Sequence, residues 1–424
     1  MKILNNLYQA ISANRHKSNY NSNIVKTIEY IEKEYLNKVH SVLFDLKEQV
    51  PEIKSNFSGF LIKPVSDRCN LGCSYCYESP NSYEASTEKL DVLNLEKIII
   101  QILENSGEFA NFYWHGGEPL LAGLEYYKKA VSIQSKLKMD KKIINAIQTN
   151  GVLLNNEWLD FFQENNFKIS LSFDGPKEIH DSRRFYKNQK GSYEDVVKVF
   201  LQLSERNIPI HVITVAHESL KDNYEAYYNE IKKWNIKTFD IHPNFQNHKN
   251  YIDPVIFSEI IISIFNLWND DHEYRTFVPV KDFIASMVKG QPETCYHAGK
   301  CSSILAIDGN GDFLSCTRPF NKKMYTFGNL KTNYNLTTVK SNKNFITFQE
   351  NDNIAINQTK NCKWGKICNN GCPQHRVKNS KNLVDGNSVF CTCHSNSVGG
   401  YYAIWDHFFN YLNNKFTSEI SKSF

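Results

Sequence analysis

Residues 59–79 read GFLIKPVSDRCNLGCSYCYES, a short apolar run followed at once by Cys69, Cys73 and Cys76. The run has the length and composition of a buried strand, and the polar residues after it end it. Similar runs recur as NFYWH (111–115), IINAIQ (143–148), KISLSF (168–173), IHVITVA (210–216) and KTFDIHP (237–243). Helical patterns near residues 92–104, 123–138, 155–165, 192–206 and 221–233 separate them. Strands that alternate with helices pair in parallel through right-handed crossovers. The spacing therefore predicts an α/β fold, a partial (β/α)6 TIM-like barrel over residues 58–250. In such a barrel the functional loops follow the C-terminal ends of the strands, where this cysteine loop lies.

Outward from that core, residues 1–57 read as a helical N-terminal extension, with Ile24, Ile28, Ile31, Tyr35, Val39, Val42 and Leu43 at helical spacing. Residues 251–294 read as a helical bridge of one or two helices, and 396–424 as a C-terminal helix with Trp405, Phe408, Phe409 and Leu412 on one stripe. Between them, 295–395 form a cysteine-, glycine- and asparagine-rich domain with few long periodic runs. Such a stretch buries little apolar area, so metal cross-linking is a physical need.

Composition narrows the class. The 424 residues are 41% hydrophobic and 22% charged, which excludes a collagen-like or disordered chain. A net charge of +4, from 49 basic and 45 acidic residues, gives no footprint for nucleic acid. No apolar run is long enough to span a membrane. The opening MKILNNLYQAISANRHK has no secretory pattern, so a cytoplasmic location is expected. Eleven cysteines, an odd number, then read as reduced thiols that bind metal rather than as disulfides.

Three thiolates on a short loop hold three corners of a cubane iron-sulfur cluster and leave the fourth iron open. A zinc site would want a fourth protein ligand, for which His115 is the candidate. The CxxxCxxC loop resembles that of the radical S-adenosylmethionine (SAM) superfamily. The resemblance implies that Cys69, Cys73 and Cys76 bind a 4Fe-4S cluster whose open iron chelates the methionine amino and carboxylate groups of SAM, with Tyr75 against the adenine. WHGGEPLL supplies Gly116, Gly117, Glu118 and Pro119, similar to the family's GGEP, whose backbone and carboxylate meet the methionine ammonium. After QTNG (148–151), the segment SLSFDGPKEIHDSRR (170–184) resembles the family's S-x-DGP. That implies Ser172 and Asp174 for the ribose and the polar edge of the cofactor, and Arg183 or Arg184 for its carboxylate.

The C-terminal cysteines extend the likeness. Cys295, Cys301, Gly311 and Cys316 follow C-x5-C-x9-G-x4-C, with a β-hairpin turn in IDGNGD. That turn is no calcium loop, since its sixth and twelfth positions are Phe313 and Pro319. Cys362, Cys368, Cys372, Cys391 and Cys393 complete a pattern resembling the SPASM extension of peptide-modifying radical enzymes. Its interleaved scheme implies two auxiliary 4Fe-4S clusters, one on Cys295, Cys301, Cys316 and Cys372 and one on Cys362, Cys368, Cys391 and Cys393. Thr359 stands where the scheme has a cysteine, so that either Cys393 substitutes for it or the second auxiliary cluster has an open iron. The resemblance implies an enzyme: SAM is cleaved reductively to a 5′-deoxyadenosyl radical, which abstracts hydrogen from a precursor peptide, and the auxiliary clusters accept an electron. A flavodoxin- or ferredoxin-type donor is implied as partner. Aromatic side-chain cross-linking is the favoured product. Anaerobic sulfatase maturases, which form formylglycine, are the alternative, but their base aspartate is Thr317 here. Asp240 and His242, at alternate positions of the sixth strand, are candidate substrate contacts or a base. An alternative of another class is a zinc-stabilised peptide-binding scaffold.

Overall fold

Each of the six runs becomes a strand: β1 (Gly59–Ile62), β2 (Phe109–Trp114), β3 (Lys142–Thr149), β4 (Lys168–Ser172), β5 (His211–Ala216) and β6 (Thr238–Pro243). Four short ones follow, β7 (Thr276–Phe277), β8 (Ile304–Ile307), β9 (Asp312–Leu314) and β10 (Thr326–Asn329). The computed structural model describes residues 7–9, 11–12, 23–45, 57–77, 88–137, 140–244, 251–317, 325–332, 335–376, 388 and 399–417. The fold is α/β with a parallel sheet, as expected. Contacts divide the chain into two units, the first of residues 52–213 and 300–353, the second of residues 1–51, 214–299 and 354–424.

In the first unit β1–β2, β2–β3, β3–β4 and β4–β5 all pair in parallel. The crossovers are helices Val92–Asn105, Leu124–Leu137, Asn156–Glu164, Lys177–Arg183 and Tyr193–Glu205. Asp91 and Asn155 begin two of these helices by accepting the amides of Asn94 and Trp158, which would otherwise lack partners. Alternate residues of β2, Ala110, Phe112 and Trp114, are buried. Trp114 packs edge-on against Tyr127 (5.2 Å between ring centroids), and Tyr127 against Trp158 (5.5 Å), so an aromatic layer joins the strands to their helices.

β8 pairs in parallel with β1 and turns back antiparallel into β9. The turn is the one read from IDGNGD: the amides of Asn310 and Asp312 both donate to Asp308 Oδ1, and Gly311 has φ +89°. By this pairing residues 300–353 fall in the same unit as β1. Helix Lys343–Gln358 was also unannounced. It is mostly polar and is anchored by Phe345 and Phe348, whose ring centroids lie 5.2 and 5.9 Å from that of Phe327.

The second unit holds helices Asn23–Asp45, Tyr224–Lys233, Pro254–Asn269, Val278–Val288 and Gly400–Thr417, with β6 and β7 in parallel. The bridge is thus two helices. Its core gathers Phe265, Trp268, Phe283, Trp405 and Phe408. Asn23 Nδ2 donates to the carbonyls of Trp268 (2.7 Å) and Asp271 (3.1 Å), which caps the end of helix Pro254–Asn269. No helix among the described residues is long and apolar enough to cross a membrane.

Candidate active site

The cysteine loop follows β1 in the first unit and is pinned along its length. The Gly72 amide donates to the Phe185 carbonyl (2.7 Å) and the Ser74 amide to that of Arg183 (3.0 Å), while Leu71 and Tyr186 form an antiparallel bridge. From the other side, the Gly117 amide donates to Ser66 O (2.9 Å) and the Glu118 amide to Arg68 O (2.8 Å). A Cβ on Gly117 would lie 2.2 Å from Arg68 O, and one on Gly116 (φ +114°) 2.7 Å from Ser66 O. The approach these glycines permit is therefore to the cysteine loop itself. Pro119 starts a short turn whose carbonyl accepts from the Tyr127 hydroxyl (3.0 Å).

Glu118 is fully buried. Its Oε1 accepts from the Thr149 hydroxyl (2.8 Å) and the Leu120 amide (3.0 Å), and its Oε2 from the Asn150 amide (2.8 Å). Burial pushes its carboxyl up to about 7 although all three donors pull the other way. The pattern of QTNG (148–151) assigns it no task. Asn150 now has one, donating to Asn70 Oδ1 (2.9 Å) and reaching Cys69 Sγ at 3.7 Å, so the Glu118 to Asn150 link fastens the end of β3 to the cysteine loop.

Beyond β4 the predicted residues converge. Tyr75 is buried and donates to Asp174 Oδ2 (2.6 Å), which also accepts from Arg184 Nε (2.9 Å). Burial would raise the Asp174 carboxyl, but Arg184 and then Arg183 outweigh it and hold it down to about 2. The guanidinium carbons of Arg183 and Arg184 lie 4.6 and 5.2 Å from the Tyr75 ring centroid. The two arginines differ in what remains free: Arg184 is committed to Asp174, whereas Arg183 Nε and Nη2 are buried without a hydrogen-bond partner. Ser172 is met by Gln148 Nε2 at 3.0 Å.

All nine described cysteines are free thiols; Cys391 and Cys393 lie outside the described residues. Burial pushes the Cys69 thiol up to about 12 and also raises Cys73, so thiolates here need a positive partner. An iron-sulfur cluster supplies one, and the donor set fits it. Among the described residues no three His, Cys, Asp or Glu side chains are gathered as ligands of a single metal ion. A cubane differs in that its thiolates bind separate irons.

Cys301 and Cys316 belong to the first unit and Cys295, Cys362, Cys368 and Cys372 to the second. Within the second, Asn369 Nδ2 donates to His297 O (2.6 Å), joining the Cys295 segment to the loop between Cys368 and Cys372. Thr359 is buried and its hydroxyl donates to Ile356 O (2.8 Å). Asp240 and His242 do meet, with Asp240 Oδ2 2.8 Å from His242 Nε2. Tyr296, which the sequence did not flag, joins them, its hydroxyl 3.4 Å from Asp240 Oδ1 and its ring 5.4 Å from that of His242.

Residues 64–230 match the family model of the radical SAM superfamily. The chain carries a radical SAM domain. That domain contains the cysteine loop, Glu118, Asp174 and both arginines, and the chain is an oxidoreductase enzyme. The cysteine-type anaerobic sulfatase-maturating enzyme of Clostridium novyi is 29% identical over 349 residues, 78% of this chain and 91% of the relative. A solved structure of native anSMEcpe with bound AdoMet superposes with a TM-score of 0.75 at 22% identity, covering 85% of this chain and 99% of that one. Streptococcus suis SuiB bound to precursor peptide SuiA gives 0.58 at 15% identity, covering 79% and 76%. These two structures share the fold of the radical SAM domain and its surroundings.

Proposed function

We propose that the chain is a peptide or protein maturase that holds a SAM-binding 4Fe-4S cluster on Cys69, Cys73 and Cys76 and two auxiliary clusters on its C-terminal cysteines. The observation that carries this reading is Arg183, a guanidinium beside the cysteine loop with buried, unpartnered nitrogens. A cofactor carboxylate satisfies such a fork bidentately. Bound together, cluster and cofactor supply one hydrogen-atom abstraction, with methionine and 5′-deoxyadenosine as by-products. The chain's own residues orient and complete the reaction. Tyr75, Ser172 and Asp174 position the nucleoside, and Gly116, Gly117, Glu118 and Pro119 hold the loop beneath it.

A cross-link removes two hydrogens from the substrate. One leaves as the abstracted atom, and the other as a proton with an electron. An auxiliary cluster on the C-terminal cysteines, when bound, would supply the acceptor for that electron. His242 takes the proton at Nδ1, because Asp240 accepts from its Nε2 and sets the tautomer. The partners in this reading are a precursor peptide, as SuiB has in its solved structure, and a flavodoxin- or ferredoxin-type donor. An aromatic side-chain cross-link is the preferred product. Formylglycine formation is a second reading, favoured by the relation to a sulfatase-maturating enzyme and set back by Thr317, which has no carboxylate to act as base.

The test is anaerobic reconstitution with dithionite and SAM. Wild type should release 5′-deoxyadenosine, Cys73→Ala should not, and a precursor peptide should lose two hydrogens per cross-link. A cluster-loaded wild type that releases no deoxyadenosine ends the proposal. Conversion of a sulfatase-derived peptide to its aldehyde establishes the second reading in place of the first.

A further inference from the structure

In the first unit the cysteine loop reaches the surface, since Cys69, Cys73 and Cys76 are each partly exposed. Two exposed cations flank it. Arg68 directly precedes Cys69. Lys187 stands on the hairpin of residues 185–191, which is closed by a bridge between Phe185 and Gly191 and by the Tyr186 amide on the Lys190 carbonyl (2.7 Å). This is the hairpin whose Phe185 and Tyr186 hold Gly72 and Leu71 of the loop, and the Lys187 Cα lies 3.9 Å from where a Cβ on Gly72 would stand.

Neither cationic side chain is spent inside the protein: Arg68 and Lys187 have no hydrogen bond or ion pair among the described residues. The neighbouring carboxylates are occupied. Asp67 pairs with the buried Lys63, and Asp195 accepts from the Tyr186 hydroxyl (2.9 Å) and is shared by Lys198 (3.2 Å) and Lys190 (3.9 Å). Residues 183–191, RRFYKNQKG, hold four cations and no carboxylate, with the arginines packed on Tyr75 and both lysines exposed. The rim of the loop is therefore positive although the chain as a whole is nearly balanced. Three residues of chain and one strand pairing separate Arg68 from the hairpin, which puts the two cations within about 20 Å of each other. Even a weak electron-transfer interface, about 600 Å² on each partner, is roughly 25 Å across and covers both.

We propose that Arg68 and Lys187 are docking points for an acidic one-electron donor protein that reduces the cluster of the cysteine loop. This rests on the iron-sulfur reading above and gives its electron donor a place to bind. Opposite charge steers such a partner to the rim, which raises association roughly 10- to 1,000-fold and fades as salt screens it. One electron passes per encounter: a flavin hydroquinone anion becomes the neutral semiquinone while the cluster goes from 2+ to 1+, and no proton moves.

The experiment uses the full chain, reconstituted anaerobically, with an acidic flavodoxin as probe. Affinity for the oxidised flavodoxin is measured by calorimetry, and deoxyadenosine release from SAM under limiting flavodoxin hydroquinone is divided by release under dithionite for the same variant, so that damage to the loop cancels. Lys187→Glu should lower both the affinity and this ratio about 10-fold at low salt, Arg68→Glu should add to the loss, and the difference from wild type should shrink as salt is raised. Lys187→Arg should behave as wild type. Lys142→Glu makes the same charge change at the far end of β3 and should alter neither quantity. Equal behaviour of Lys187→Glu and Lys142→Glu overturns the docking surface, as does a wild type that flavodoxin neither binds nor reduces. Dithionite separates the two failures: wild type that releases deoxyadenosine with it loses only the docking assignment, whereas cluster-loaded wild type that releases none with either reductant loses the reading beneath.

Discussion

Two adjacent arginines carry different loads. Arg184 neutralises Asp174 in the interior, so Arg184→Ala leaves the buried carboxylate with the Tyr75 hydroxyl but without its ion-pair partner and should cost about 3–5 kcal/mol in denaturant unfolding. Arg183→Ala should leave unfolding nearly unchanged and weaken SAM binding about 10- to 100-fold in equilibrium dialysis, the loss of a charge-assisted hydrogen bond. Asp174 gives a pH signature. Its folded carboxyl is held at about 2, below the ordinary 3.8, so the stability it adds is present above pH 3.8 and lost as pH falls through about 2. The stability gap between wild type and Asp174→Asn should therefore be about 2 kcal/mol at neutral pH and close as acid titrates through that window. Pattern alone marked both arginines as candidates. Which one is consumed depends on where Asp174 points, and spacing does not encode that.

At the scale of elements, the cysteine loop is a shape imposed by its neighbours. Gly117→Ala would set a methyl 2.2 Å from a backbone carbonyl of that loop. It should cost the protein its first cluster, about four irons per chain by iron assay. Gly123, with φ +89° but open space around it, is the control: Gly123→Ala should keep the iron and lose only about 1–2 kcal/mol in unfolding. The elements themselves were mostly legible. Six strands and the helices between them follow from runs of two-fold and 3.6-fold periodicity, which a short window contains. Helix Lys343–Gln358 was not legible, because KNFITFQENDNIAINQ places few apolar residues and relies on Phe345 and Phe348 finding Phe327. The glycines of WHGGEPLL were legible as a close-approach signal, while the partner they approach was not.

For the molecule as a whole, the three clusters proposed above predict about twelve irons per chain, and the variant with Cys69, Cys73 and Cys76 all replaced by alanine about eight, measured after anaerobic reconstitution. A colourless, iron-poor protein after reconstitution would speak for the zinc scaffold instead. The amino-acid sequence by itself determined the α/β alternation, the thiol loop after β1 and the spacing of the later cysteines, since periodicity and ligand spacing are properties of neighbouring residues. Only the tertiary structure decided that β8 pairs with β1, that Arg184 and not Arg183 is spent on Asp174, and that the hairpin bearing Lys187 is bonded to the cysteine loop. Those outcomes depend on which distant polar groups satisfy one another once buried, and that balance exists only when the chain has closed around them.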